Sequence, residues 1–357
     1  MNIVKPESIA LFCLTPGGVT LAKRLSDRIP VTCFTSQALL EPGFEPFRGT
    51  FAQTVAQVFH QYSALIFVCA TGLTVRLIAP LVKDKFSDPA VVVIDDQGHH
   101  AISLLSGHMG GANALTRYIA ALLGAEPVIT TATDVNQLAA LDVLAQQLNA
   151  TMRDFREKTK KINQLLVSGG KVGLFWDRDS LSAIKMQWPE EYCDTRGFIL
   201  ITDLADLPEL DALVLVSLRD DEPVLPVPVY KLVPRCVVAG IGCRRDTSPA
   251  VVADLLWRQL AKLHIDPLAL SAIGSASIKR DEPALRHLAN RCCVPFETFS
   301  VDILKPVAAR FPVSEFVRRI TGIGSVSQPV AWLMSNGRLV GDTLRTQGVT
   351  ITLGVSC

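Results

Sequence analysis

Apolar and polar positions alternate in this chain between two rhythms. Ser8 to Thr15, Ala64 to Ala70, Ala90 to Asp95 and His100 to Leu105 are nearly continuous apolar runs and predict buried strands. Between them the apolar positions recur at helical spacing. Val19, Leu21, Ala22 and Leu25 share one face of a helix predicted over Val19 to Arg28, and Leu73 to Val82 and Ala112 to Leu123 repeat the pattern. Pro16-Gly17-Gly18 reads as the turn before the first helix, and Thr71-Gly72 closes the second strand. Continuous strands separated by amphipathic helices predict an α/β fold with a parallel or mixed sheet, ligands being expected beyond the carboxyl ends of the strands. Thr15 to Gly18, Thr71-Gly72 and Ser106 to Gly111 are therefore expected along one edge.

The rhythm changes after a further helix over Leu138 to Leu148. Arg153 to Lys161 is highly charged, Ser168-Gly169-Gly170 is a turn, and Trp176 to Thr195 shows no clear period, which suggests a smaller middle module. Asp220 to Pro234 contains Pro223, Pro226, Pro228 and Pro234 and reads as a semi-rigid linker. A second strand-turn-helix begins at Val237. There Gly240 and Gly242 permit a tight turn, Asp246, Thr247 or Ser248 can cap the helix, and Pro249 suits its first turn. The expected organisation is multidomain α/β: an N-terminal sheet domain over 1–136, a middle module with its linker over 137–229, and a separate C-terminal α/β domain over 230–357.

Composition narrows the function classes. The chain has 357 residues, 49% hydrophobic and 19% charged, which suits several packed cores and leaves little for disordered tails. A net charge of +1 gives no electrostatic case for nucleic acid or an anionic membrane, so an anionic ligand must be met by local charge. The apolar run Ile9 to Leu14, preceded by Lys5 and Glu7, is too short to span a bilayer or serve as a secretory core, and a cytoplasmic protein is expected. Cysteines at 13, 33, 69, 193, 236, 243, 292, 293 and 357 form no C-x-x-C pair and no metal-ligand spacing with histidine; reduced thiols and no protein-bound metal are expected. The Gly-x-Gly at 240–242 lacks a third glycine at dinucleotide-binding spacing, and no phosphate-binding lysine motif occurs.

The densest chemistry lies in SLLSGHMGGANALTRYIAALLGAEPVITTATD, residues 103 to 134. Ser106, Gly107, His108, Gly110 and Gly111 form a turn able to wrap a ligand, and the helix starting near Ala112, with Asn113 in its first turn, offers N–H groups to an anion. His108 is the candidate proton-transfer group, because an imidazole titrates close to neutrality. Ser106 reads as a hydroxyl donor, the G-x-S-x-G elbow of a serine nucleophile being absent. Thr130, Thr131, Thr133 and Asp134 bring hydroxyls and a carboxylate to the next strand end, although Thr133 or Asp134 could equally cap a helix. His99 and His100, after Asp95-Asp96-Gln97-Gly98, read as polar tips of a hairpin. Farther along, Arg244 and Lys279 stand at two strand ends, where they could pair with carboxylates or belong to exposed charged loops. Cys243 beside two arginines is either a small buried residue or a thiol of lowered pKa.

Spacing alone goes no further than an anionic ligand at a strand-to-helix turn. The residues themselves resemble a known family. The 103–134 segment, VVAGIGCRRDTS at 237–248, AIGSASIKRDEPALRHLA at 272–289 and GVTITLGV at 348–355 are similar, in the same order, to the CbiG-type cobalt-precorrin-5A hydrolases of the anaerobic route to cobalamin. The resemblance implies a cobalt-bearing tetrapyrrole substrate with acetate and propionate side chains and a δ-lactone. Water opens the lactone, and the freed alcohol expels acetaldehyde. With that reaction in view, the residues read above become His108 and Asp134 as catalytic candidates and Ser106, Gly107, Gly110, Gly111, Asn113, Thr130, Thr131, Arg244 and Lys279 as substrate-binding ones; no added cofactor is expected because the substrate carries the cobalt, and transient contact with neighbouring methyltransferases is expected. One region departs from the pattern: where the resemblance leads one to look for a lysine, often with a glutamate, this chain has Gln328-Pro329 and Gly341 to Arg345. The other function class is a corrinoid carrier or assembly partner that does no chemistry, for which a titratable His108 in the turn has no obvious use.

Overall fold

The apolar runs near the start of the chain are neighbouring strands of one sheet in the structure, a computed structural model that describes residues 9–84, 87–182 and 193–356. Lys5 and Glu7, and residues 183–192 of the segment without clear period, lie outside the described residues. The chain divides into two units, one up to Leu144 and one from Ala145.

The first unit holds β1 (Ile9–Cys13), α1 (Pro16–Ser26), β2 (Thr32–Thr35), β3 (Glu45–Pro46), α2 (Phe51–Val58), β4 (Ala64–Val68), α3 (Thr71–Ile78), β5 (Ala90–Ile94), β6 (His100–Leu105), α4 (Ala112–Leu123), β7 (Glu126–Val128) and α5 (Ala132–Val135). Its sheet runs β3-β2-β1-β4-β5-β6-β7. Strands β1, β4 and β5 are buried at every residue because helices cover both faces. Alternation along each strand sends Leu11, Ile66 and Val92 toward α1 and α4, and Phe12, Phe67 and Val93 toward α2 and α3. Helix α1 starts three residues earlier than its apolar face suggests. Pro16 occupies its first turn and the Thr15 side chain accepts the Gly18 N–H, so Pro16-Gly17-Gly18 is helix rather than turn.

The expected common edge is corrected by the direction of β6. The Asp95 carboxylate accepts the N–H groups of Gln97 and His100 at 2.9 and 2.6 Å and closes a hairpin, so β6 runs antiparallel to β5, with Ile94 opposite Ala101 and Val91 opposite Leu105. Thr15 and Thr71 follow the carboxyl ends of β1 and β4. The Ser106–Gly111 turn lies at the opposite edge, where Gly110 packs beside the Ala90 backbone.

The second unit contains α6 from its Ala145 onward (Leu141–Gln147 in all) and two sheets. The middle sheet, ordered β10-β9-β11-β12-β8, is built from β8 (Ala150–Thr151), α7 (Phe155–Val167), β9 (Val172–Trp176), α8 (Arg178–Ser182), β10 (Ile199–Ile201), β11 (Ala212–Val216) and β12 (Val229–Pro234). The charged stretch after Arg153 is the outer face of α7, whose Thr159, Ile162 and Leu166 are buried. The latter part of the proline-rich stretch is no linker. Val229–Pro234 is a strand paired with β11 over Val229–Leu232 and with β8 at Val233 and Pro234, the proline standing at its end where a missing N–H is tolerated, and its Lys231 forms a buried 2.7 Å ion pair with Asp266.

The C-terminal sheet, ordered β15-β14-β13-β17-β16, comprises β13 (Val237–Cys243), α9 (Pro249–Lys262), β14 (Leu270–Ala276), α10 (Pro283–Cys292), β15 (Phe296–Phe299), α11 (Val301–Ala308), α12 (Glu315–Thr321), α13 (Ser327–Met334), β16 (Leu339–Thr346) and β17 (Val349–Val355). Gly240 and Gly242 lie within β13 instead of making a turn. A Cβ on Gly240 would overlap the Ser327 carbonyl and come 2.7 Å from the Ala331 nitrogen, so this glycine lets α13 lie directly on the sheet. Gly240→Ala is therefore expected to destabilise the C-terminal domain by about 1–3 kcal/mol through overpacking, read as an earlier midpoint in urea unfolding. An unchanged midpoint would contradict this packing argument.

Candidate active site

The chain leaves β6 at Leu105 and must turn sharply into α4. Ser106 adopts φ 57° and Gly111 φ 84°, a conformation that costs a β-carbon residue energy and costs glycine little. Space is equally tight: a Cβ on Gly107 would stand 2.7 Å from Asn113 Oδ1, and one on Gly110 would overlap Ser106 Cβ and approach the Ser106 carbonyl at 2.8 Å. The coil closes on itself through backbone bonds. Gly111 N–H donates to the His108 carbonyl at 2.9 Å, Ala112 N–H to that of Ser106 at 3.1 Å, and Asn113 N–H to that of Gly107 at 2.9 Å. The helix start was expected to offer free amides to an anion. These leading amides are instead consumed by the turn's own carbonyls, which fixes the turn and shifts the burden of ligand recognition to side chains.

Those side chains converge on His108. Its Nε2 lies 3.2 Å from Asp134 Oδ2 and 3.0 Å from Thr133 Oγ1, and its Nδ1 lies 3.5 Å from Asp142 Oδ2. Asp134 sits in the single turn of α5, directly after the strand end carrying Thr130 and Thr131. Its Oδ2 accepts from Asn113 Nδ2 at 2.8 Å and from Thr131 Oγ1 at 2.5 Å, while its Oδ1 pairs with Arg117. Asn113 and Arg117 are four residues apart on α4 and so share the face that meets Asp134. Asn113 also donates to Thr131 Oγ1 at 2.9 Å and accepts from Ser103 Oγ at 2.6 Å, which fixes its amide orientation.

Charge follows from this geometry. Burial opposes a charged imidazole, but hydrogen bonds and attraction from Asp142 and then Asp134 outweigh it and raise the His108 pKa above its ordinary value. Burial likewise pushes the Asp134 carboxyl up, yet the donors Thr131, Arg117 and His108 prevail and hold it below the ordinary carboxylate range. Stability linked to His108 is thus complete below the unfolded imidazole pKa of about 6.5 and is lost as pH rises through the higher folded value. For Asp134 it is present above the unfolded carboxyl pKa and lost as pH falls through the lowered one. Unfolding free energies from urea titrations should therefore decline above about pH 6.5 more steeply for the native chain than for His108→Gln; parallel curves would contradict a charged imidazole at this site.

The remaining candidates are dispersed. Ser106 Oγ is buried without a hydrogen-bond partner, so a ligand cannot reach it unless the turn opens. Thr130 is exposed, one residue before the Thr131 that bonds Asp134. His99 and His100 are at the hairpin on the other edge, with His100 Nδ1 3.4 Å from Asp95. In the second unit, Arg244 is exposed just past β13, whereas Lys279 is paired with Glu282 at 2.5 Å and largely covered. Burial pushes the Cys243 thiol up to about 11, with Lys279 offsetting only part of the shift, so it is not an activated thiolate. Arg117 and Asp142 were not anticipated. Arg117 was legible as the i+4 neighbour of Asn113; Asp142 resembled an ordinary acidic residue in the first turn of a helix.

Among the described residues no group of three or more His, Cys, Asp or Glu side chains is arranged to hold a metal ion, and no helix is long and apolar enough to cross a membrane. Family models match most of the chain: cobalamin synthesis G N-terminal over residues 53–134, cobalamin biosynthesis central region over 139–230 and cobalamin synthesis G C-terminus over 237–354. A cobalt-precorrin-5A hydrolase from Salmonella typhimurium is 62% identical over 356 residues, covering 100% of both chains. Another from Priestia megaterium is 30% identical, covering 99% of this chain and 96% of its own. A solved cobalamin biosynthesis protein G homologue from Sulfolobus solfataricus aligns over 98% of each chain at 21% identity, with a TM-score of 0.40.

Proposed function

Since the chain belongs to the cobalt-precorrin-5A hydrolase family, we propose that it opens the δ-lactone of cobalt-precorrin-5A and releases acetaldehyde to give cobalt-precorrin-5B. The observation that carries this reading to the residues is an imidazole held between two carboxylates inside the Gly-rich turn. Water adds to the lactone carbonyl carbon and the ring C–O bond breaks, with a proton needed on the departing oxygen. His108, whose protonated form is favoured by its two carboxylate neighbours, supplies that proton as general acid. The freed hydroxyl then loses its proton, the adjacent C–C bond breaks, and the electron pair passes into the conjugated macrocycle as acetaldehyde leaves. Asp134, tied down by Asn113, Thr131 and Arg117, keeps its charge and stabilises the imidazolium.

Recognition of the macrocycle's carboxylates falls to exposed groups. In the first unit these are Arg117, half-exposed and paired with Asp134, and Thr130, one residue before Thr131; Arg244 is a separate exposed candidate of the second unit. Lys279 is a weaker candidate because its side chain is largely covered and held by Glu282. A carrier has no use for a titratable ring between paired carboxylates, which favours the enzyme. We place the reaction in the cytoplasm, in transient contact with the methyltransferases that precede and follow it.

The test is stoichiometry: acetaldehyde trapped as its hydrazone should equal the macrocycle consumed, and macrocycle loss without acetaldehyde would refute the proposed cleavage. Because the substrate supplies both cobalt and the electron sink, turnover is expected to be the same with added divalent metal or with a chelator. Chelator-sensitive activity restored by zinc alone would require a metal-bound water in place of the mechanism above.

A further inference from the structure

Asp142 is the most deeply buried charge around the imidazole, its side chain only 3% exposed, against 18% for both His108 and Asp134. It stands in the first turn of α6, carried there by a buried run of Ala139, Ala140, Leu141 and Leu144. Removing a carboxylate from water costs several kcal/mol unless opposite charge and hydrogen bonds compensate. A Gly-rich turn, for its part, leaves an imidazole free to rotate unless something outside the turn holds it.

We propose that Asp142 is a positioning residue: it accepts the Nδ1 proton of His108, fixes the plane of the ring, and leaves Nε2 as the edge that exchanges a proton with the substrate. Two features carry this. Nδ1 faces the covered carboxylate, whereas Nε2 faces Thr133 and Asp134, the latter paired through its other oxygen with the half-exposed Arg117. The charges also match, since Asp142 from α6 and Asp134 from α5 are balanced by the imidazolium and by Arg117 from α4 on the far oxygen of Asp134. The same division of labour, one nitrogen held and the other working, governs histidine in other acid–base sites.

The inference rests on the hydrolase reading for the identity of the proton acceptor, but the Asp142–His108 coupling can be measured without turnover. Asp142→Asn keeps the side chain's size and removes its charge. In the variant, kcat should fall by about 10- to 10²-fold with KM within about twofold, Asp142→Glu should recover part of the loss, and the limb of the pH–rate profile belonging to the imidazolium should move to lower pH. In ¹⁵N spectra of histidine-labelled protein, with His108→Gln assigning the signal, His108 should titrate at lower pH in Asp142→Asn than in the native chain. Equal titration in both proteins, or a rise in KM with kcat intact, would overturn the assignment. Should Asp142→Asn fail to fold, the native spectrum decides: Nδ1 must carry a proton, and an Nε2–H tautomer with bare Nδ1 overturns the proposal. A protein that shows the coupled titration yet leaves cobalt-precorrin-5A untouched overturns the hydrolase reading instead, with the positioning role standing.

Discussion

His108→Ala should lower turnover by about 10² to 10⁴ while substrate affinity stays nearly native, because general acid–base groups act on the transition state more than on the bound ground state. The ring's partners make the loss specific. Without the imidazole, Asp134 keeps Asn113, Thr131 and Arg117, so the network that shapes this end of the site persists and binding is spared. Single-turnover rates and equilibrium binding, measured separately on folded variant, distinguish the two quantities. Full activity in His108→Ala would remove the histidine from the mechanism and turn attention to Thr130 or to substrate-assisted chemistry.

Gly111→Val should act through the backbone, and on rate and affinity together. Gly111 has φ 84°, where a β-branched residue is strained by about 1–3 kcal/mol, and its neighbour Gly110 is already pressed against Ser106. The turn cannot relax without giving up the bonds from Gly111 and Ala112 to the His108 and Ser106 carbonyls. Losing them displaces His108 from both carboxylates. Turnover should therefore fall by at least about 10²-fold, with a weaker apparent substrate constant and a lower unfolding midpoint, in contrast to the rate-only effect of His108→Ala. Native affinity in Gly111→Val would mean that the turn does not shape the binding surface.

What could be read from sequence followed from local chemistry. Continuous apolar runs marked β1, β4 and β5 because strands covered on both faces need no polar alternation, and glycines marked the turn because few other residues fit it. Direction and neighbourhood were harder. The strand signal of His100 to Leu105 says nothing about which way it runs, and only the Asp95–Gly98 hairpin shows that the chain reverses, placing His108 at the edge opposite Thr15 and Thr71. Gly240 looked like turn chemistry because sequence cannot show that α13 arrives from more than eighty residues away to lie on it. Asp142 was invisible for a related reason: burial beside His108 is a tertiary fact. The prolines before β12 were legible as breakers, but burial of Tyr230, Leu232 and Val233 overrode the linker reading.

The central claim is that this chain hydrolyses and fragments its macrocycle rather than merely holding it. Its most direct test is mass spectrometry of cobalt-precorrin-5A incubated anaerobically with the purified native chain. The expected product is lighter than the substrate by the difference between acetaldehyde lost and water gained, and it should form in many-fold excess over protein. Substrate recovered unchanged in a tight complex with the chain would contradict the claim and identify the protein as a carrier.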